Sequence, residues 1–305
     1  MFSTKKRTYK QHYNEKDSFY KYSSPKFTEQ QALSENLNTD ICIVGGGLTG
    51  ISAALNLADQ GYDVCILEAN QIGSGASGRN GGQLGIGMRK DQLYLENKFG
   101  FEKAEFFWNV GLDAVKNVTN LISKYNIDCA LKPGILHARN TKKDYKYFIE
   151  EIEHMKSKYS YDNYEYFDEN AIKDEVNTDQ YYSGLLTKDS FHLNPLKLTY
   201  GLANQCLSKG IKIFENSPID KIEEKGNDIL LFSKNVVIKS KKVIIACNGY
   251  LDDLLGSVSN FFMPINNYII ATEPLGEKLA RQIIKRNCGV VDSRFMIDYY
   301  RFSED

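Results

Sequence analysis

The sequence predicts an α/β fold, and three observations carry that expectation. An apolar run, TDICIVGGG, enters glycine at residues 39–47. A helical pattern follows at once, and a second apolar run, YDVCILEA, occupies residues 62–69. Strand, helix and strand within about 30 residues make a βαβ unit, since parallel neighbours need a crossover connection.

The elements follow in order. Residues 1–38 show no sustained period and many polar side chains, so they read as an N-terminal arm. The unbroken apolarity of the first strand is that of a parallel strand covered on both faces. In LTGISAALNLADQG, Leu48, Ile51, Leu55 and Leu57 fall near helical spacing, with Gly61 as the C-cap. Over 91–125, Phe99, Phe106, Phe107, Val110, Ala114, Val118 and Leu121 recur at helical offsets. CALKPGILHAR (129–139) reads as a strand pair around a turn, 142–158 as a charged surface helix, and YYSGLLT (181–187) as a strand. PLKLTYGLANQCLSKG (195–210) is a helix with Pro195 in its first turn and Gly210 at its end. IKIFEN, SPIDKIEE, DILLFS and NVVIKSKKVIIAC are strand-like, and so is FMPINNYIIATEP at 262–274. A helix near 276–285 and the strand-like GVVDSRFMIDYYRF follow, and no internal repeat is visible.

Composition narrows the function classes. With 42% hydrophobic residues the chain can bury a core, and 12% aromatic content argues against disorder. A net charge of -1 gives no global electrostatic case for nucleic acid or an anionic membrane. The cysteines, at 42, 65, 129, 206, 247 and 288, form no CxxC, and no histidine stands at zinc-ligand spacing, so no metal site is expected. Core thiols suit a reducing cytosol. The basic N-terminus lacks the apolar region of a signal peptide, and no stretch approaches the ~20 apolar residues of a spanning helix. A cytoplasmic location is therefore expected.

The chemistry lies in GGGLTG, which supplies Gly45-x-Gly47-x-x-Gly50 between a strand and a helix. Gly45 permits the tight turn, Gly47 removes a side chain that would block a pyrophosphate, and Gly50 lets helix and strand pack closely. The helix start presents free N–H groups and a positive dipole end to phosphate. Glu68, 21 residues after Gly47, ends the second strand, where it can accept hydrogen bonds from ribose hydroxyls. This spacing favours dinucleotide binding over a plain glycine-rich turn; it leaves NAD and FAD open and disfavours NADP. GSGASGRNGGQLGIG (73–87), with seven glycines, then offers a second backbone surface beside the same pyrophosphate.

These motifs, together with KPGIL, FHLNPLKL, VIIACNGYL and IDYYR, make the chain resemble the FAD-dependent amine and amino-acid oxidoreductases of the D-amino-acid oxidase superfamily. Within it the likeness is greatest to the branch that oxidises gamma-glutamylputrescine. The resemblance implies FAD as cofactor. It implies an FAD-binding Rossmann-like domain of glutathione-reductase type, at 39–95 and 190–260, interleaved with an α+β substrate domain at 96–189 and 261–305. By the same resemblance Gly45, Gly46, Gly47, Thr49 and Gly50 cradle the pyrophosphate, while Glu68 and Ala69 hold the adenosine ribose. Ser74, Ala76, Ser77, Arg79, Asn80, Gly81, Gly82 and Gln83 line the pyrophosphate and isoalloxazine. Ile219 offers backbone bonds to adenine, and Ala246, Asn248 and Gly249 form a crossover against the adenosine half.

The implied reaction oxidises an amine C–N bond by hydride transfer to flavin N5. It gives aldehyde and ammonia, with O2 or another acceptor reoxidising the flavin and peroxide as the O2 product. A D-amino-acid, sarcosine or glycine-type oxidase or dehydrogenase is the alternative, and a non-catalytic remnant is the second. The implied partners are a small amine or amino-acid substrate and the electron acceptor. No catalytic triad is expected, because the cofactor carries the redox chemistry. Substrate-side candidates are Tyr268, Tyr299, Tyr300 and Arg301, although packing is the commoner use of such tyrosines. Strand alternation puts Tyr299 and Arg301 on one face and Tyr300 on the other. Arg301 suits a substrate carboxylate or a surface salt bridge. His192 reads as a cap or packing group, and His12, His137 and His154 have no evident partner. The family's closing segment, with its glycine-containing turn, has no match after Asp305, so a C-terminally truncated fold is expected. Such a chain is a fragment, a short product, or a half completed by a separate polypeptide.

Overall fold

The computed structural model describes residues 18–142, 145–259, 261, 263–265 and 267–304. From the arm the chain forms α1 (Phe19–Ser23), β1 (Leu37–Val44), α2 (Leu48–Asp59) and β2 (Val64–Leu67). It continues through β3 (Gln83–Leu84), α3 (Gln92–Phe99), α4 (Phe101–Lys124), β4 (Lys132–Arg139) and α5 (Tyr145–Tyr159). Next come β5 (Tyr164–Phe167), α6 (Glu169–Glu175), β6 (Ser183–His192) and α7 (Pro195–Ser208). Then follow β7 (Lys212–Phe214), β8 (Lys221–Lys225), β9 (Asp228–Ser233), β10 (Val236–Ile245) and α8 (Gly256–Ser259). Last are α9 (Gly276–Ile283), β11 (Gly289–Val291) and β12 (Tyr299–Tyr300).

Two compact units result, Met1–Asn80 with Pro195–Ile269 and Gly81–Asn194 with Ile270–Asp305. The chain changes unit after Asn80, Asn194 and Ile269, where the sequence reading set the changes near 95, 189 and 260.

The first unit is built on a sheet of order β7-β2-β1-β10-β9-β8. β1 lies parallel to β2 and β10, with Cys42 opposite Cys65 and Val44 opposite Ile245. Ile41–Val44 and all of β2 are buried, as expected of parallel strands covered on both faces. Ile51, Ala54 and Leu55 of α2 are buried, as are Leu202, Ala203 and Cys206 of α7, and these two helices pack together. A separate apolar cluster joins Cys42, Cys65 and Leu67 to Ile219, Leu231 and Ile238. The arm follows this unit through Phe27 stacked on Tyr200 and the Val237 N–H donating to Asn36 Oδ1 at 2.8 Å.

The second unit's sheet runs β12-β11-β4-β6-β3, with β5 also on β6. One apolar cluster joins Leu136, Ala138 and Leu186 of the sheet to Ile172 of α6 and Ile284 after α9. Another joins Trp108 of α4 to Met155 and Tyr161.

Several expectations are corrected here. CALKPGILHAR gives one strand, not a pair: β4 pairs with β6 on both sides of an irregularity at Pro133/Ile135. The 91–125 helix breaks at Gly100 (φ 85°) into α3 and α4. The buried stripe of α4 is Ala104, Trp108, Gly111, Val115 and Ile122, while Phe106 and Val110 are exposed. β5 and α6 were not expected; Asp168 caps α6, accepting from the Asn170 and Ala171 N–H groups. FMPINNYIIATEP forms no strand among its described residues, and Met263, Ile265, Tyr268 and Ile270 lie exposed. Among the described residues no helix is long and apolar enough to cross a membrane.

Candidate functional site

In the first unit, β1 delivers the chain to Gly45, whose φ of 116° is one that L side chains rarely adopt. A Cβ there would stand 2.5 Å from the Ala246 carbonyl oxygen, because β10 ends alongside. The Gly46 N–H donates to Glu68 Oε2 at 2.7 Å, and the Asn70 N–H donates to Oε1 at 2.9 Å. Burial raises the Glu68 carboxyl above the ordinary carboxylate range; the Asn70 and Gly46 N–H groups oppose the rise, and the charge of Glu215 adds to it. A Cβ on Gly47 would lie 2.7 Å from Ser77 Oγ, and one on Gly50 would strike the Gly45 carbonyl.

The start of α2 differs from the sequence reading in one respect. The Leu48 N–H, expected to be free for a phosphate, donates to Ser77 Oγ at 2.9 Å. The Ile51 N–H donates to the Gly47 carbonyl at 2.9 Å, so the amides of Thr49 and Gly50 precede it in the first turn. Thr49 is exposed.

The glycine-rich stretch is folded back on itself rather than loose. Ala76–Gly78 form a 3₁₀ turn, and Asn80 Nδ2 donates to the Ala76 and Ser77 carbonyls at 3.0 Å each. The Ser74 N–H donates to the Gln71 carbonyl at 3.0 Å. Arg79 is half-buried beside this turn. The ring of Tyr250 lies 3.2 Å from where a Gly75 Cβ would stand. Tyr250 belongs to the 3₁₀ turn Asn248–Tyr250, which Asn248 opens at a φ of 50° and which includes Gly249. The Ala246 N–H donates to the Val44 carbonyl, and the Ser217 N–H to the Glu68 carbonyl. The second bond sets the loop leading to Ile219 beside Glu68 and Ala69, with the Ile219 side chain in the core. The glycines, Glu68, Ser74–Asn80, Ile219 and Ala246–Gly249 thus gather near the carboxyl ends of β1, β2 and β10, where open α/β sheets bind ligands.

Glu215 was missed from sequence. It is buried, with Oε2 accepting from the Gln30 N–H at 2.7 Å and Oε1 from the Ile72 N–H at 2.7 Å. Ser217 Oγ accepts from the Leu33 N–H at 2.9 Å. The available signal was that Glu215 ends the run IKIFE as Glu68 ends DVCILE.

Gly81, Gly82 and Gln83 stand in the second unit. The Tyr299 ring covers Gly81, whose carbonyl accepts from Arg301 Nε at 3.0 Å. The Gly82 carbonyl accepts from the Leu193 N–H at 2.7 Å, and Gln83 Nε2 donates to the Val290 carbonyl at 3.2 Å. Tyr299 and Arg301 therefore share one face, as alternation required. Tyr300 packs against the sheet cluster with its hydroxyl 3.1 Å from that of Tyr181, and burial raises its phenol, the Tyr181 contact adding to the rise. Arg301 Nε and Nη1 donate to the Gly81 and Phe302 carbonyls at 3.0 and 3.1 Å. Tyr268 belongs to the first unit and is 87% exposed.

His192 is a buried packing group, its Nε2 3.0 Å from the Asn287 carbonyl. Burial pushes it down to about 4, the Asn287 bond opposing. His154 gains a partner in Glu96 Oε1 at 2.7 Å, which also accepts from the Tyr159 hydroxyl. His137 is exposed on β4, and His12 lies outside the described residues. The cysteines are free thiols, and no cluster of metal-ligating side chains occurs among the described residues.

A family model described as FAD dependent oxidoreductase (DAO) matches residues 40–305. Gamma-glutamylputrescine oxidoreductase of Escherichia coli (strain K12) is 36% identical over 289 residues, covering 94% of this chain and 67% of that protein. L-proline dehydrogenase from P. horikoshii shares the fold at a TM-score of 0.61 and 20% identity, over 89% of this chain and 68% of that one. L-amino acid deaminase from Proteus myxofaciens shares it at a TM-score of 0.56 and 22% identity, over 72% of this chain and 48% of that one. The chain spans about two-thirds of the length of the curated relative and about half that of the deaminase. On the glycine motif, the match over 40–305 and the identity to the E. coli protein, the chain belongs to the DAO family of FAD-dependent oxidoreductases, whose cofactor is FAD.

Proposed function

We propose that the chain oxidises the C–N bond of a primary amine of the gamma-glutamylputrescine kind, passing hydride to N5 of FAD. The observation that carries this reading is the cradle of the first unit. Gly45, Gly46, Gly47 and Gly50 each stand where a Cβ would collide, and Glu68 faces the Gly46 N–H from the end of β2. Backbone donors at a helix start, little bulk and an acid on the neighbouring strand fit the pyrophosphate and ribose of FAD. Gly45–Gly50 would hold the pyrophosphate, with Ser74–Asn80 as the second wall. Glu68 and Ala69 would meet the ribose, each carboxylate oxygen keeping a second lone pair beyond its backbone donor. Ile219 and Ala246–Gly249 would face the adenosine half.

The cofactor supplies hydride acceptance and its own reoxidation. The protein binds it, orients the amine and excludes water. A desolvated pocket lowers an ammonium pKa and so exposes the lone pair, and aromatic rings hold the cation before its proton leaves. In the second unit Tyr299 is the aromatic candidate for that work, with Arg301 beside it and Gly81–Gln83 beneath. The 36% identity to gamma-glutamylputrescine oxidoreductase supports the substrate class.

The purified protein should be yellow, with close to one flavin per chain. Anaerobic gamma-glutamylputrescine should bleach the flavin band, while D-alanine and sarcosine leave it unchanged. A folded but colourless protein that takes up no added FAD would overturn the cofactor placement. Bleaching by D-alanine or sarcosine alone would overturn the substrate.

A further inference from the structure

α4 carries apolar residues on two sides, and packing within the chain uses only one of them. Ala104, Trp108, Gly111, Val115 and Ile122 are buried, whereas Lys103, Phe106, Val110, Asp113 and Asn117 are exposed. The second set recurs at alternating steps of three and four residues, which draws one narrow seam along the side of the helix away from the core. Phe106 is 63% exposed and Val110 40%. The Phe107 ring lies 5.9 Å from that of Phe106 and 5.8 Å from that of Phe99, widening the seam into an aromatic ledge near Gly100.

Contiguous apolar surface facing water marks a docking face, and the charges of this one select what docks. Lys103 and Asp113 stand equally far on either side of the point midway between Phe106 and Val110, roughly 15 Å apart along the helix. Among the described residues neither side chain forms a hydrogen bond or an ion pair. A two-fold axis through that midpoint, with the helix laid antiparallel on its own copy, sets each residue against the one equally far on the other side. Phe106 then packs on Val110 of the second copy, and Lys103 faces Asp113 of the second copy, each contact occurring twice. Beside the seam Glu102 falls opposite Ala114 and Phe107 opposite Asn109, so no like charges are opposed. A parallel pair would instead set Lys103 on Lys103 and Asp113 on Asp113. An anionic bilayer would suit Lys103 and repel Asp113. A second copy of this chain is the occupant that complements both charges.

We propose that α4 is a self-association helix: two copies of the chain dock antiparallel along the seam of Lys103, Phe106, Val110 and Asp113. The seam lies wholly within the second unit, and the proposal does not rest on the flavin reading. A single helix seam belongs among the smaller specific interfaces, below about 1,200 Å², so the dimer should be reversible, with a Kd of about 1–100 μM.

Sedimentation equilibrium of the purified protein over a range bracketing that Kd tests it. The weight-average mass should climb with concentration from that of one chain toward that of two. Phe106→Asp, which places a charge in the apolar part of the seam, should weaken association about tenfold or more. Lys103→Glu and Asp113→Lys, each alone, oppose like charges at both ends of the seam and should weaken it about tenfold as well. Mixed in equal amounts, these two single variants should associate about as tightly as the wild type, because each chain supplies the charge that the other lacks. Thermal melting shows whether each variant is folded; if one fails to fold, the remaining ones decide the matter. A wild type that stays monomeric across the range overturns the proposal. So does a folded Phe106→Asp chain that keeps wild-type association, or a mixture of the two charge variants that associates no better than either alone.

Discussion

Replacing Gly45 with alanine separates two costs that the β1–α2 turn combines. The first is backbone strain, since Gly45 holds a φ of 116°. The second is contact: the new methyl would stand 2.5 Å from the Ala246 oxygen, 2.8 Å from its carbonyl carbon and 3.3 Å from the Cys247 nitrogen. All three are backbone atoms, so no flexible side chain can swing away, and the end of β10 must retreat. Gly61, just beyond α2, has a φ of 87° and nothing within 4 Å of its Cβ position, so Gly61→Ala meets the strain alone. Strain of about 1–3 kcal/mol is common to both changes. Overpacking adds about 1–3 kcal/mol at Gly45 only. Urea denaturation followed by far-UV circular dichroism should therefore show Gly45→Ala less stable than Gly61→Ala by that second amount. The ratio of flavin to protein absorbance should fall in Gly45→Ala and hold in Gly61→Ala. Equal unfolding midpoints, or full flavin retention in Gly45→Ala, would refute the argument that this glycine is required by contact.

Other consequences can be checked separately. Ser77→Ala removes the acceptor for the Leu48 N–H at the start of α2 and should cost about 0.5–2 kcal/mol in urea denaturation, with Ser77→Thr restoring most of it. Glu215→Ala leaves the Gln30 and Ile72 N–H groups without their acceptor, at about 1–3 kcal/mol each; limited proteolysis should then cut near Gln30 faster than in the wild type. Burial keeps His192 neutral down to about pH 4, whereas an unfolded histidine takes its proton near pH 6.5. Between those values the unfolded chain binds more protons, so stability falls as pH drops from about 6.5 to 4, by up to about 3 kcal/mol. His192→Gln should flatten that part of the stability–pH curve, and an unchanged slope would exclude the assignment.

The βαβ unit was legible because its signals are local. Gly45, Gly47, Gly50 and Glu68 lie within one strand–helix–strand passage, and their spacing reflects geometry that any chain must satisfy there. β4 was misread because Pro133 and Gly134 carry turn propensity; pairing with β6 carries the strand past them through an irregularity. The face of α4 was misjudged because aromatic residues occur on both sides, and packing against Met155 and Tyr161 selects Trp108 over Phe106. The apolar run around Tyr268 forms no strand among its described residues, because composition alone does not supply the pairing partner a strand needs. Glu215 was invisible because its donors, Gln30 and Ile72, stand 185 and 143 positions away. The bond from Arg301 to the Gly81 carbonyl could not be read from sequence, because its partner lies 220 positions earlier.

The Glu215 carboxylate makes the arm and the base of the glycine-rich loop thermodynamically linked. One buried group accepts from both, so freeing either segment leaves the other tied to an acceptor that has lost a donor. Coupling of this kind is reciprocal. Whatever steadies the loop at Ile72 lowers the tendency of the arm at Gln30 to detach, and a detached arm loosens the loop by the same free energy. The arm is then a gauge of the loop's condition: its rate of proteolysis reads out how firmly the base of the glycine-rich loop is held.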